Sequence, residues 1–243
     1  VGRGDVRVGR HPLREIEGTE EGQQVFALLP PHVPFEAPAP RFGMLDRFLV
    51  MSEKQHIPAL LVANKVDLIS RQTAAQLFGH YPSLGYPVIY TSAHTGEGVD
   101  ELRQSLSGKI SVFAGPSGVG KSSLLNLLLP DLRLRAQEVR KRTAKGRHTT
   151  VVRQLFPLPE GGYVADTPGL KALALWDVEP EELDGYFPEM RPLVSQCQFS
   201  DCTHMREPGC AVLAALAAGR IHPNRYQSYL RIRFGDAEEP SQQ

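Results

Sequence analysis

Between Val25 and Trp176 the chain alternates short unbroken apolar runs with segments of helical periodicity. Residues 24–29 predict a strand, 43–55 a helix beyond a proline-rich loop over 30–40, 58–63 a strand, 72–78 a helix and 87–90 a strand. A helix over 99–106, a strand over 110–114 and a helix over 121–129 follow, and strands resume at 150–156 and 162–165. Runs such as Pro58 to Ala63 lack polar alternation, the pattern of strands covered on both faces, so the expectation is a parallel sheet with helices on either side. Beyond Pro180 the pattern breaks into short helical pieces and closes with an amphipathic helix over 223–234. The reading is therefore an α/β domain over 25–176, a small α-helical domain over 177–243 and a short polar, glycine-rich segment over 1–24.

Composition changes this picture little. With 243 residues, 41% of them hydrophobic, and 27 basic against 27 acidic side chains, the chain can bury a core and is neither disordered nor collagen-like. Apolar runs such as Val212–Ala218 fall far short of the roughly 20 residues a membrane span needs, so no membrane partner is expected. No apolar stretch follows the N-terminal charges as a secretory signal would require. The three cysteines all fall between 197 and 210, which points to metal binding in a reducing compartment, the cytoplasm.

Gly115, Pro116, Ser117, Gly118, Val119, Gly120, Lys121 and Ser122, followed by Ser123, fit the phosphate-binding loop G-x-x-x-x-G-K-[ST] between a predicted strand and a predicted helix. There backbone N–H groups turn inward on phosphates, Lys121 reaches the β/γ-phosphates and Ser122 ligates Mg²⁺. The same loop resembles that of guanylate kinases, so the base must be read elsewhere. Asn64, Lys65, Val66 and Asp67 form N-K-x-D at a strand end. The Asp67 carboxylate can accept paired hydrogen bonds from guanine N1–H and N2–H₂, which adenine lacks. Asn64 would brace the loops and Lys65 would cover the base. Thr91, Ser92 and Ala93 follow a second strand and resemble the loop whose N–H meets guanine O6. Asp166, Thr167, Pro168 and Gly169 form D-T-P-G, in which Asp166 would hold Mg²⁺ through water and the Gly169 N–H would meet the γ-phosphate. Between these and the phosphate loop lies Gly146-Arg-His-Thr-Thr150, from which Thr149 or Thr150 would complete the Mg²⁺ shell.

Ras-like GTPases carry these motifs in a different order, with the phosphate loop first. Here N-K-V-D and T-S-A precede it, which is a circular permutation. Leu170 stands where Ras-like enzymes place the Gln that orients water, so intrinsic hydrolysis should be slow, with His148 or a partner supplying the missing group.

Cys197, Cys202, His204 and Cys210 supply three thiolates and an imidazole, the donors of a closed tetrahedral structural Zn²⁺ site, one per chain. Eight Lys/Arg lie between Arg133 and Arg153 against the single acid Glu138. Arg220, Arg225, Arg231 and Arg233 interleave with Tyr226, Tyr229 and Phe234 further on. Such cations with aromatics suit phosphate contact and base stacking on RNA.

The permuted order, the G-P-S-G-V-G-K-S-S loop, G-R-H-T-T, D-T-P-G-L and the cysteine–histidine cluster together resemble the RsgA family over about residues 25–235. The resemblance implies a circularly permuted GTPase acting in late maturation of the small ribosomal subunit, with a zinc segment and an N-terminal OB-fold that dock on rRNA. It also implies a role in hydrolysis for the histidine of G-R-H-T-T, here His148. Residues 1–24 are too few for a five-stranded OB barrel and would be at most its remnant. The expectation is a monomeric GTPase with GTP/GDP and Mg²⁺ as ligand and cofactor, stimulated by the small subunit. The alternative is an RNA-binding zinc protein that uses GTP as a switch with little turnover.

Overall fold

The structure, a computed structural model, describes residues 23–29, 42–116, 118–129, 154–166 and 178–235. Six strands make one sheet in the order β3-β2-β1-β4-β6-β5. They are β1 (Gln23–Leu29), β2 (Ala59–Asn64), β3 (Val88–Thr91), β4 (Ile110–Ala114), β5 (Gln154–Pro157) and β6 (Tyr163–Asp166). The first four and β6 are parallel, in registers that pair Leu29 with Ala63, Asn64 with Thr91, Ala27 with Ala114 and Val112 with Ala165. Strand β4 lies between β1 and β6, so beginning the count at β4 and running from β6 into β1 gives an unpermuted order on the same sheet.

Helices α1 (Phe42–Lys54), α2 (Arg71–Phe78), α3 (Val99–Leu106) and α4 (Lys121–Leu128) connect and flank the strands. All six residues of β2 are buried, as expected of a strand covered on both faces. One core packs Leu60, Val62, Ile89, Phe113 and Val164 of the sheet against Val99, Leu102 and Leu106 of α3 and Leu124 and Leu128 of α4. These helical residues recur at the three- and four-residue spacing of one helix face. A second core sets Leu45 and Leu49 of α1 against Leu61 and Ala63 of the sheet and Phe78, Tyr81 and Tyr86.

The sheet departs from the wholly parallel expectation at its edge, where β5 pairs antiparallel with β6 through Leu155–Ala165 and Phe156–Val164. Leu158 N–H donates to Gly162 O at 3.0 Å, closing a tight hairpin. A link this short cannot make the crossover of a dozen or more residues that a parallel pair needs.

The C-terminal part contains a 3₁₀ segment, Pro180–Tyr186, then α5 (Arg191–Val194), α6 (Ala211–Ala217) and α7 (Pro223–Phe234). Its core of Leu183, Phe187, Met190, Val212, Ala215, Ile221 and Tyr229 also takes in Val50 of α1, so α1 serves two cores. The join is ionic as well as apolar. Arg225 of α7 is fully buried and donates to Asp46 of α1 at 2.5 Å. It also grips Glu189 with two bonds, 2.7 and 3.2 Å, and lies 4.5 Å from the Phe187 ring centre. Burial opposes the guanidinium charge, but Asp46 and Glu189 outweigh it and hold Arg225 charged.

Candidate functional site

The loops that follow β2, β3 and β4 leave the same edge of the sheet, the carboxyl ends of parallel strands, where such sheets bind ligands. Asn64, the last residue of β2, is 1% exposed and joins all three loops with one amide. Its Nδ2 donates to Val119 O of the phosphate loop at 2.8 Å. Its Oδ1 accepts from the Ala93 backbone N–H at 3.1 Å and from the Thr91 hydroxyl at 3.2 Å. Beyond it Lys65 takes the left-handed conformation, φ 71°, and turns the chain into a one-turn 3₁₀ helix that carries Val66 and an exposed Asp67. Ser92 is buried, and its Oγ accepts from the N–H groups of His94 at 3.2 Å and Thr95 at 3.1 Å, which fixes the loop bearing Ala93. Gly98, φ 69°, caps the helix that begins at Val99, and a Cβ on it would sit 2.0 Å from Tyr90 O.

In the phosphate loop, Gly115 and Pro116 leave β4, and Gly118 and Gly120 both have positive φ. Val119 is anchored in the core at 1% exposure. Gly120 precedes the first residue of α4, with φ 98°, and a Cβ on it would lie 2.2 Å from Asn64 Nδ2. Lys121 opens α4, and its ammonium donates to Gly115 O at 2.6 Å and Pro116 O at 2.7 Å, folded along its own loop. Ser122 and Ser123 are exposed in the first turn of that helix. Asp166 ends β6, beside β4 in the sheet. Ser117, His148, Thr149, Thr150 and Gly169 lie outside the described residues, as does the whole basic stretch between 133 and 153.

In the C-terminal part the donor atoms of Cys197, Cys202, His204 and Cys210 all lie within 4.8 Å of one another. The Cys197 and Cys210 sulfurs are 4.0 Å apart, and His204 Nδ1 is 3.7 Å from the first and 3.4 Å from the second. Four ligands about 2.3 Å from a tetrahedral Zn²⁺ would be spaced about 3.8 Å apart, so the donor set fits that ion. Burial pushes the Cys202 thiol up to about 12 and raises that of Cys210, so a cation must displace protons to bind. Tyr226 and Tyr229 hydroxyls donate to His204 O at 2.7 Å and Thr203 O at 3.1 Å, and the Cys210 sulfur accepts from Leu213 N–H at 3.4 Å.

The C-terminal basic–aromatic set does not form one surface. Arg225, Tyr226 and Tyr229 are core residues, and only Arg220, Arg231 and Phe234 are exposed, with Arg233 half-buried against the Tyr229 and Phe234 rings. Sequence reasoning also missed Asp184, whose Oδ2 lies 2.9 Å from His204 Nε2. No spacing rule links an acid to a histidine 20 residues on. No helix among the described residues is long and apolar enough to cross a membrane.

Residues 33–176 match the RsgA GTPase family. The protein named small ribosomal subunit biogenesis GTPase RsgA in Gemmatimonas aurantiaca is 51% identical over 196 residues, 81% of this chain and 64% of that protein. Its namesake in Moorella thermoacetica is 51% identical over 193 residues, 79% of this chain and 66% of its own length. The chain thus spans just under two thirds of these relatives. Among solved structures, YjeQ from Thermotoga maritima superposes with a TM-score of 0.71 at 39% identity, covering 88% of this chain and 70% of that one. YloQ, described as a circularly permuted GTPase, gives a TM-score of 0.65 at 34% identity over 87% and 67% of the two chains.

Proposed function

Because this chain belongs to the RsgA GTPase family, we propose that it is a GTP hydrolase of the cytoplasm that binds the small ribosomal subunit and its rRNA, acts in late maturation of that subunit, and lets its nucleotide state gate the binding. The observation that carries the nucleotide reading is the Asn64 side chain, bonded at once to Val119 of the phosphate loop and to Ala93 of the T-S-A loop. It ties a base-reading loop and a phosphate-holding loop to one rigid strand end.

In this reading Asp67 accepts from the guanine edge, the Lys65 stem covers the base, and the loop at Ser92 and Ala93 meets O6. The N–H groups from Gly115 to Ser123 cradle the phosphates. Lys121 trades two loop carbonyls for phosphate oxygens, and Ser122 with Thr149 or Thr150 holds Mg²⁺, joined through water by Asp166. The Gly169 N–H senses the γ-phosphate, and His148 positions water in place of the Gln that Leu170 displaces. Cys197, Cys202, His204 and Cys210 hold one Zn²⁺ that fixes the C-terminal domain, and a single chain is the working unit.

One feature favours a second reading, an RNA-binding zinc protein that holds GTP as a switch with little turnover. Leu170 has no group to orient water, so the isolated chain lacks one part of the hydrolytic machinery. Exchanging a base edge tests the nucleotide assignment itself. Asp67→Asn is expected to shift preference from GTP toward xanthosine triphosphate in a competition binding assay, because the amide offers a donor where the carboxylate offered an acceptor. Unchanged GTP selectivity would remove Asp67 from the base-reading role.

A further inference from the structure

The cysteine–histidine cluster has a fifth member that donates nothing to a metal. Asp184 is 7% exposed, and its Oδ2 lies 2.9 Å from His204 Nε2. His204 is itself 0% exposed, with its other ring nitrogen, Nδ1, facing the Cys197 and Cys210 sulfurs at 3.7 and 3.4 Å. The ring thus has one nitrogen toward the thiols and one toward a carboxylate. For Nδ1 to present its lone pair to a cation, the ring proton must sit on Nε2, where Asp184 accepts it. The backbone of His204 is in the left-handed region, φ 62°, and its carbonyl accepts from the Tyr226 hydroxyl at 2.7 Å, so the main chain at this ligand is held from a second side.

We propose that Asp184 is a positioning residue of the zinc centre, which fixes the ring orientation and tautomer of His204 so that Nδ1 is the ligating atom. The inference rests on the zinc reading given above and adds the carboxylate and its role. Metal-bound histidines commonly donate their second N–H to a carboxylate, and losing that partner typically weakens metal binding by about 10- to 100-fold.

Where Asp184 sits in the chain gives this a mechanical sense. It belongs to the 3₁₀ segment Pro180–Tyr186, which is fastened to α1 of the nucleotide domain. Leu183 packs in one core with Val50 of α1, and Lys54 Nζ lies 4.0 Å from Glu182. Arg191 binds the Gly185 carbonyl at 2.6 Å and also reaches Glu53 of α1. Through Asp184 the metal centre is therefore bonded to the segment that joins the two parts of the described structure.

The test compares the full chain with Asp184→Ala, Asp184→Asn and, as a control, the exposed neighbour Glu181→Ala. Zinc affinity is measured by competition with a chromophoric chelator, and the His204 ring nitrogens are followed by NMR in the zinc-loaded protein. Asp184→Ala is expected to bind zinc about 10- to 100-fold more weakly and to lose the hydrogen-bonded Nε2–H signal. Asp184→Asn retains an acceptor oxygen without the charge, so it should fall between Ala and wild type and serve as the informative variant should Ala not fold. Glu181→Ala should match wild type. Wild-type zinc affinity and an unchanged Nε2–H signal in both Asp184 variants would overturn the proposal while leaving the zinc centre standing. Failure of the wild-type chain to take up zinc would overturn the zinc reading and this inference with it.

Discussion

Asn64 and Gly120 show how little freedom the proposed nucleotide site has. The Asn64 amide is buried and satisfies a carbonyl on one side and a hydroxyl and an N–H on the other. Gly120 leaves it room, since a Cβ there would meet Nδ2 at 2.2 Å. Gly120→Ala therefore has two costs. Holding a side chain near φ 98° costs about 1–3 kcal/mol, and displacing Asn64 unmakes its bond to Val119 O. The expected result is a stability loss of about 1–3 kcal/mol in denaturant titration together with weakened GTP binding. Wild-type values of both would show that Asn64 and Gly120 do not constrain each other. Both residues are identifiable in the sequence, because each belongs to a short motif with a chemical reason for its spacing. Asp184 and Arg225 are not, since their partners lie 20, 36 and 179 residues away and are reached only through the tertiary fold.

At the level of elements, β2, β3 and β4, and α3 and α7, appear where apolar runs and helical periodicity place them, to within a residue at each end. Periodicity did not reveal the antiparallel edge, because direction is not encoded in the composition of a strand. The signal lay in the connection, where Gly161 and Gly162 and a stretch of only a few residues between β5 and β6 leave a hairpin as the available link. The cysteine cluster poses a different problem at this scale. Helices α5 and α6 have four and seven residues, well under the roughly 12–15 that an isolated helix needs to persist in water. Three of the four candidate metal donors lie on the irregular chain between these helices, and the fourth, Cys210, caps α6. Removing zinc with a strong chelator is expected to lower the thermal midpoint and to open the stretch between Cys197 and Cys210 to limited proteolysis. An unchanged midpoint and cleavage pattern would mean that packing alone holds this region.

At the scale of the whole molecule, the sheet with its flanking helices and the C-terminal part are packed against one another. They share α1, whose Leu45 and Leu49 face the sheet core while Val50 enters the C-terminal core. The Arg225 ion cluster sits in the join, with Asp46 on one side and Glu189 on the other. Arg225→Ala would leave both carboxylates buried without their cation, a change that typically costs about 3–5 kcal/mol. Equilibrium unfolding should register that loss, and a change under about 0.5 kcal/mol would show that the ion cluster contributes little to the join.

We propose that this chain hydrolyses GTP and that binding to the small ribosomal subunit stimulates the turnover. The most direct test is steady-state phosphate release from GTP with and without purified small subunits, with ATP and large subunits as controls. Slow turnover alone and strong stimulation confined to GTP and small subunits are expected. Tight GTP binding with no turnover in the presence of small subunits would contradict the proposal and favour the switch that holds nucleotide without consuming it.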